Sequence, residues 1–167
     1  MAAAIRLPSE RVLRIALGVV AVLGIGVATY LTVVRAEGDS PTCVIGGGCH
    51  TVQSSEYSEL AGIPVAWLGL AAYVGLLIAA ILPGQAGRAL GLFTAVVSFG
   101  FSAWLTYAEL VLIDAVCAWC VTSAILVTIA LVITVMRAAS PSPTQGGSAR
   151  RSAPDPRSPG QTPESST

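Results

Sequence analysis

Four long stretches of the chain are almost entirely apolar and carry no charge. Each is 20 to 22 residues long, and a helix of about 20 residues crosses a hydrocarbon core about 30 Å thick. Strands of a membrane barrel would alternate apolar and polar positions, so these runs predict helices. The first run is also longer than the apolar part of a signal peptide. The predicted fold class is an all-α integral membrane protein, a four-transmembrane-helix bundle with runs at 15–34, 63–82, 89–108 and 115–136.

The segments between and beyond these runs divide the chain into three parts. We expect residues 1–14 to be a cytoplasmic N-terminus, and residues 15–137 to be a four-helix membrane redox domain with an extracytoplasmic loop at 35–62. Residues 138–167 are rich in Pro, Ser and Gly, which predicts a disordered cytoplasmic tail. Within the loop, Ser54 or Ser55 is a candidate N-cap, so residues 51–61 are predicted to form a short helix on the membrane surface.

Charge sets the expected orientation. Hydrophobic residues make up 54% of the chain and charged residues 11%, whereas soluble domains carry roughly 25% charged residues. Nine basic and nine acidic residues balance, so the charge indicates no nucleic-acid partner. With four crossings, eight of the nine basic residues share one side, and only Arg35 lies on the other. By the positive-inside rule both termini are then cytoplasmic, and most acidic residues, Glu109 among them, fall on the outer side.

The four cysteines form two pairs that this topology brings to the extracytoplasmic face. Cys43 and Cys49 lie in the loop, and Cys117 and Cys120 form a Cys-Ala-Trp-Cys motif at the start of the fourth helix. Thiols in that compartment form disulfides. A helix N-terminus favours the thiolate, which is the nucleophile of disulfide exchange. We therefore interpret Cys43 and Cys49 (the loop pair), with their intervening glycines, as a flexible shuttle for electrons. It would connect a soluble partner with Cys117 and Cys120 (the helix pair), which a lipid-soluble oxidant can reach.

Two structural alternatives remain open from the residues alone. Two separate disulfides, Cys43–Cys49 and Cys117–Cys120, would also satisfy an even cysteine count. A bridge across one helical turn closes too short a loop to add much stability. Four thiolates could hold a metal ion, but their spacing is not that of a zinc ribbon, and we expect no metal.

Three tryptophans and one histidine near the cysteines are further candidates. Trp67, Trp104 and Trp119 lie towards the outer ends of their helices, where aromatic residues commonly form an interfacial belt. The alternative hypothesis is that they line a pocket for a flat ring. His50 could lower the pKa of Cys49 or act as a base, and is otherwise a solvated loop residue.

Taken together, three segments resemble the vitamin K epoxide reductase family. They are the sequence GCHTVQSSEY at 48–57, GIPVAWLG at 62–69, and the Cys-Ala-Trp-Cys motif at 117–120. The resemblance covers roughly residues 15–137. The order, with the loop pair before the Cys-x-x-Cys pair, is distinctive, because DsbB-like proteins of similar chemistry have the pairs in the reverse order.

The resemblance implies a role for each cysteine in a bundle built around a quinone. By the family pattern, Cys43 meets a thioredoxin-like (DsbA-like) partner, Cys49 attacks toward Cys117, and Cys120 faces the quinone. The serine six residues after the second loop cysteine, Ser55 here, belongs to the family's active site. Many bacterial members carry a fused thioredoxin-like domain, whereas this chain ends in the predicted tail, so we expect the partner to be a separate protein.

The implied function is that of an oxidoreductase of the cell membrane. It would be a thiol oxidase with menaquinone or ubiquinone as electron acceptor, reoxidising its partner and so driving extracytoplasmic disulfide formation. The alternatives are a vitamin K epoxide or quinone reductase proper, and a membrane scaffold with structural disulfides. Epoxide reduction is disfavoured, because Ala124 stands where animal members have a substrate-binding tyrosine, and the chain has no asparagine.

Overall fold

The computed structural model describes residues 9–39, 41–43, 48–60 and 62–140 of the 167-residue chain. The protein is mostly helical, as predicted, and each apolar run lies largely on one helix. The predicted tail beyond residue 140 and the first eight residues lie outside the described residues. The helices are α1 Glu10–Ala36, α2 Cys49–Gln53, α3 Val65–Ile81, α4 Gly84–Tyr107 and α5 Ala118–Ala139.

The four long helices form a bundle in which each packs against two others. α1 contacts α3 and α5, and α4 contacts the same two helices from the opposite side. Small and apolar residues such as Leu17, Leu76 and Ala130 fill the core. The outer surface is apolar as well, since Ile15 and Phe93 are 60% and 69% exposed. A surface of this kind is typical of contact with lipid, which fits a multi-pass membrane protein.

Within the described part of the chain, three helical segments are long and apolar enough to cross a membrane. They are α1, α5 and the continuous segment Gly84–Ile113, whereas α3, with 17 residues, is shorter. One close approach joins α3 to α1, because a Cβ at Gly24 would overlap the ring of Tyr73. Only glycine can occupy that position while the Tyr73 ring stays where it is.

The junction between α4 and α5 is irregular. α4 continues into a π-helical segment, Ala108–Ile113, which ends at Asp114 in the left-handed conformation (φ 52°). The chain then runs without helical structure to Cys117, which is the N-cap residue of α5. The predicted third run therefore ends too early and the fourth begins too early. This junction sets the position of the Cys-x-x-Cys motif.

The loop between α1 and α3 is less helical than predicted. α2 begins at Cys49 and ends at Gln53, a 3₁₀ turn follows at Glu56–Ser58, and Glu59–Leu60 pairs with Ile63–Pro64 as a two-residue antiparallel hairpin. The predicted helix over 51–61 is thus wrong in extent. The reason is that the two candidate N-cap serines bond backwards: Ser54 Oγ donates to His50 O at 2.8 Å and Ser55 Oγ to Val52 O at 2.7 Å.

Arg35 anchors this loop to the end of α1. Its guanidinium donates to Gln53 O and to a carboxylate oxygen of Glu59, both at 2.6 Å. The basic residue that stands alone on the outer side in the predicted topology therefore holds the short helix and the hairpin against the bundle.

The opposite end of the bundle carries a network of arginines around one carboxylate. Arg137 is fully buried; it donates to Glu10 Oε1 from Nη2 at 3.0 Å and to Ala79 O at 3.1 Å. Arg88 pairs with the other Glu10 oxygen at 3.4 Å, and Arg14 donates to Ala80 O at 2.8 Å and to Ile81 O. The network ties all four long helices together.

Candidate redox site

The loop cysteines are joined in a disulfide at the base of α2. Cys43 and Cys49 are bridged with their Cα atoms 5.8 Å apart, and Cys49 is fully buried whereas Cys43 is partly exposed. Residues 44–47 lie outside the described part of the chain, and so does most of the stretch predicted to be flexible. The pair therefore has one accessible sulfur and one sulfur turned into the protein.

Gly48 brings the loop against the segment that precedes the second pair. A Cβ at Gly48 would lie 2.7 Å from Val116 O and 2.9 Å from Val116 N. The backbone next to Cys49 thus touches the backbone next to Cys117, which no larger residue allows at this spacing. The sequence suggests that this glycine serves flexibility, whereas the structure shows that it permits close contact.

The helix pair is reduced and lies beneath the loop pair. Cys117 and Cys120 are free thiols. Cys49, Val52 and Cys117 form one buried cluster, with Cys43 and Cys120 packed against it. All four cysteines are therefore gathered at one end of the bundle, as the resemblance implies. Of the two structural disulfides considered as an alternative, only Cys43–Cys49 is formed.

The environment of Cys117 favours its thiolate. A hydrogen bond from the Cys120 side chain is the largest influence and lowers the pKa of Cys117 to about 7, with backbone N–H groups of Cys120 and Trp119 adding to it. Burial and the charge of Glu109 oppose this shift. Cys117 lies just before the apolar span of α5, where the helix N-terminus presents its free N–H groups. The arrangement gives one activated and one protonated sulfur.

Glu109 belongs to this site, although in the sequence it reads only as one more acidic residue of the outer side. It is 3% exposed, and its Oε2 accepts the N–H of Cys117 at 3.3 Å. Its side chain also lines the same cavity as Cys120 and interacts with that thiol. The signal available in the sequence is a carboxyl group at the edge of an apolar run, since ionisable groups at membrane depth are commonly functional.

A cavity of about 380 Å³ opens beside Cys120, between α1, α3, α4 and α5 and under the loop. This size lies within the range of small-molecule pockets, which are typically lined by apolar side chains with a few polar groups. Cys120, Glu109 and Ser55 all line it, and Cys117 does not. At its inner part the Tyr73 hydroxyl lies 2.8 Å from Ser123 Oγ. Among the cysteines, Cys120 is therefore the one that a ligand in this cavity would meet.

The three tryptophans lie elsewhere, and none of them lines this cavity. Trp67 and Trp104 are about half exposed on the outer surface of the bundle. Trp119 packs on Tyr30 with ring centroids 4.7 Å apart and donates to Thr42 O at 3.1 Å. The hypothesis that they line a pocket for a flat ring is therefore wrong for this cavity, because helix rotation turns two of them outward. Trp119 instead fixes the start of α5 to the loop beside Cys43.

The remaining candidates differ in position. Ser55 lines the cavity, but its hydroxyl is already committed to Val52 O. His50 is exposed on α2. Across the described residues, no group of three or more His, Cys, Asp or Glu side chains is arranged to hold a metal ion.

The family model described as the vitamin K epoxide reductase family matches residues 15–135, which covers all four long helices except the ends of α1 and α5 and includes all four cysteines.

Proposed function

Because the chain belongs to the vitamin K epoxide reductase family, whose members are oxidoreductases, we propose that it is a thiol oxidase that passes electrons from a soluble thiol protein to a membrane quinone. The observation that carries this proposal is the stacking of a disulfide on a reduced Cys-x-x-Cys pair at the edge of an apolar cavity. A scaffold stabilised by disulfides would need neither the free pair nor the cavity.

The first transfer involves the partly exposed sulfur. A thiolate of a thioredoxin-like partner attacks Cys43, which breaks the Cys43–Cys49 bond and joins the partner to Cys43. The partner's second thiol then attacks this mixed disulfide, so that the partner leaves with its own disulfide and Cys43 becomes a thiol. The loop pair is then reduced by two electrons. Cys49 next attacks an oxidised Cys117–Cys120 pair at Cys117, and Cys43 completes the exchange, so the electrons reach the helix pair. This route agrees with the burial of Cys49 and Cys117 in one cluster.

The second transfer takes place at the cavity. The fit of a quinone there is supported by the cavity's volume, its apolar walls and the Cys120 side chain in its lining. A bound quinone supplies a two-electron, two-proton acceptor. The chain's part is to hold the Cys117 sulfur as a thiolate within reach of Cys120, so that a sulfur–sulfur bond forms between them as the electrons leave. Whether the quinone is menaquinone or ubiquinone is a matter of the host membrane.

The proposed setting is the cell membrane, with four crossings and the cysteines on the extracytoplasmic side. The arginine distribution supports this orientation, because eight of nine lie on the side opposite the cysteines in a four-span topology. A disulfide in the loop pair is also what an oxidising compartment favours.

The direct test is quinone reduction by the purified protein in lipid nanodiscs. A reduced thioredoxin-like protein and a short-chain quinone are mixed with it anaerobically, and quinone absorbance is followed. We expect turnover that is lost in Cys120→Ala. The proposal is refuted if quinone stays oxidised while the partner remains reduced.

A second test concerns the contact between the pairs and needs no partner. In Cys120→Ala, the Cys117 thiolate can attack Cys49 of the loop disulfide, forming a Cys49–Cys117 bond and releasing Cys43 as a thiol. Alkylating the released Cys43 then traps this bond, because Cys120 is no longer present to resolve it. Peptide mapping under non-reducing conditions reads the product. A Cys43–Cys117 bond instead would exchange the roles of the two loop cysteines.

A further inference from the structure

Glu109 is a buried carboxyl group that the electron path described above does not use. It is 3% exposed in a bundle whose other core residues are mostly apolar. Placing a carboxylate there is costly unless it is paired by hydrogen bonds. Its partners are the N–H of Cys117, 3.3 Å from Oε2, and the side chain of Cys120. One acid therefore bonds the backbone of Cys117 and shares the cavity lining with Cys120.

A purely structural role for Glu109 explains its bond to the Cys117 N–H but not its position beside Cys120. Accepting the Cys117 N–H caps the start of α5, and any acceptor of suitable length could do that. The contact with Cys120 is different, because that thiol faces the cavity and contributes nothing to the cap. The π-helical segment that begins at Ala108 sets Glu109 towards both, and interruptions of this type occur frequently at functional sites.

Resting on the proposed function, we propose that Glu109 is a catalytic residue that accepts the proton of the Cys120 thiol when the helix pair is oxidised and delivers it into the cavity. The Cys117 thiolate and the Cys120 thiol hold one proton between them. Their oxidation forms one sulfur–sulfur bond and releases two electrons and that proton. A quinone takes up two electrons and two protons, so Glu109 passes on the first proton and water supplies the second.

The other polar groups around the cavity are less suited to this step. Ser55 is bonded to Val52 O, and the hydroxyls of Tyr73 and Ser123 are bonded to each other. The ionisable groups around Glu109 are Cys117, the N-cap residue of α5, and Cys120 of α5. Tyr73 of α3 and Tyr57 of the 3₁₀ turn line the same cavity. Among the described cavity-lining residues, Glu109 is the only carboxylate.

The experiment isolates the second transfer. The protein in nanodiscs is fully reduced, freed of reductant and mixed anaerobically with a short-chain ubiquinone. A single turnover is then followed from about pH 5 to about pH 9, the range in which the thiols and carboxyl groups of active sites commonly titrate. Glu109→Gln keeps the size of the side chain and an acceptor oxygen for the Cys117 N–H but cannot take a proton. Glu37→Gln, at an exposed position just after α1, is the matched control.

We expect Glu109→Gln to slow this turnover by roughly 10²-fold, as is typical when a general base is removed. Its rate should keep rising with pH, because hydroxide must replace the carboxylate, whereas the unaltered protein should level off once Cys117 is a thiolate. The reduction of the Cys43–Cys49 disulfide by a thiol partner, measured without quinone, should be unchanged. Glu37→Gln should match the unaltered protein in every measurement.

Two results would overturn the inference. One is a Glu109→Gln protein that turns over at the normal rate across the pH range. The other is an equal loss in both transfers with an unchanged pH profile, which would mean that Glu109 only shapes the site. If the unaltered protein fails to reduce quinone at all, it is the proposed function that fails, and the two failures are thus distinguishable.

Discussion

At the level of single residues, the sequence predicts the chemistry of the site better than it predicts which residues make up the site. The four cysteines, their pairing and the position of Ser55 follow from spacing, from topology and from the family resemblance, since these depend on chain order. Glu109 and the tryptophans do not, because whether a helical residue faces the cavity depends on helix rotation. The π-helical segment after Tyr107 alters that rotation, and no pattern in the sequence announces it.

The pH dependence of Cys117 is a prediction at this scale. Its pKa is lowered to about 7, chiefly by the hydrogen bond from Cys120. Below that pH the sulfur is protonated and a poor nucleophile; above it, the thiolate dominates. With Cys43 and Cys49 replaced by alanine, thiolate absorbance in the ultraviolet should rise with a midpoint near pH 7, and adding Cys120→Ala should raise the midpoint.

Cys117→Ser is the control, and the step near neutrality should disappear in it. A midpoint near the ordinary thiol value of about 8.5 in the protein lacking only the loop cysteines, or an unchanged midpoint when Cys120→Ala is added, would contradict the role assigned to the hydrogen bond.

At the level of elements, the apolar runs predict the long helices well because burial in lipid demands about 20 apolar residues in sequence. The loop is harder, because its structure depends on tertiary contacts. The bonds from Arg35 to Gln53 and Glu59 hold α2 and the hairpin in place. The serines that could have started a helix instead end one. Local propensity therefore gives the presence of a short helix but not its extent.

The close approach at Gly48 leads to a prediction about how fast the loop cysteines react with the helix cysteines. Replacing Gly48 by alanine forces the new Cβ against the Val116 backbone, so the loop must shift and Cys49 must move away from Cys117. Because displacements of about 1 Å can cost up to 10²-fold in rate, we expect the Cys49–Cys117 bond to form roughly 10- to 100-fold more slowly. The rate is measured as the appearance of that bond in the Cys120→Ala background.

Gly100→Ala is the matched control, since a Cβ there meets nothing within 4 Å. If Gly48→Ala and Gly100→Ala form the bond equally fast, the close approach at Gly48 has no part in the exchange.

At the level of the whole molecule, the arginines that predict orientation also hold the bundle together. Arg137 joins α5 to α1 through Glu10 and to α3 through Ala79 O. Breaking a buried ion pair costs about 3–5 kcal/mol, and Glu10 is about one-third exposed, which favours the lower end of that range. Arg137→Met should therefore lower the free energy of unfolding in detergent by about 3 kcal/mol. Arg11→Met, at an exposed position, should change it little; equal effects would show that Arg137 is no anchor.

The number of membrane crossings is decided by α3, the shortest of the four long helices. Its 17 residues span roughly 26 Å at 1.5 Å per residue, close to the lower limit for a crossing. Its two ends are nevertheless fixed at opposite ends of the bundle. Arg14, near the start of α1, bonds to Ala80 O near the end of α3, and the start of α3 adjoins the hairpin that Arg35 anchors at the end of α1. We therefore predict that a chain that crosses with α1 crosses back with α3.

Cysteine labelling in intact cells tests this conclusion. The native cysteines are replaced, and Glu37→Cys or Ser148→Cys is introduced singly and exposed to an impermeant thiol reagent. With four crossings and the expected orientation, Glu37→Cys reacts in intact cells and Ser148→Cys reacts only after lysis. The reverse pattern would invert the orientation and move the redox site to the cytoplasm. Reaction of both in intact cells would mean an odd number of crossings. If α3 were the helix that does not cross, Cys49 and Cys117 would lie on opposite sides of the membrane, which is incompatible with their shared buried cluster.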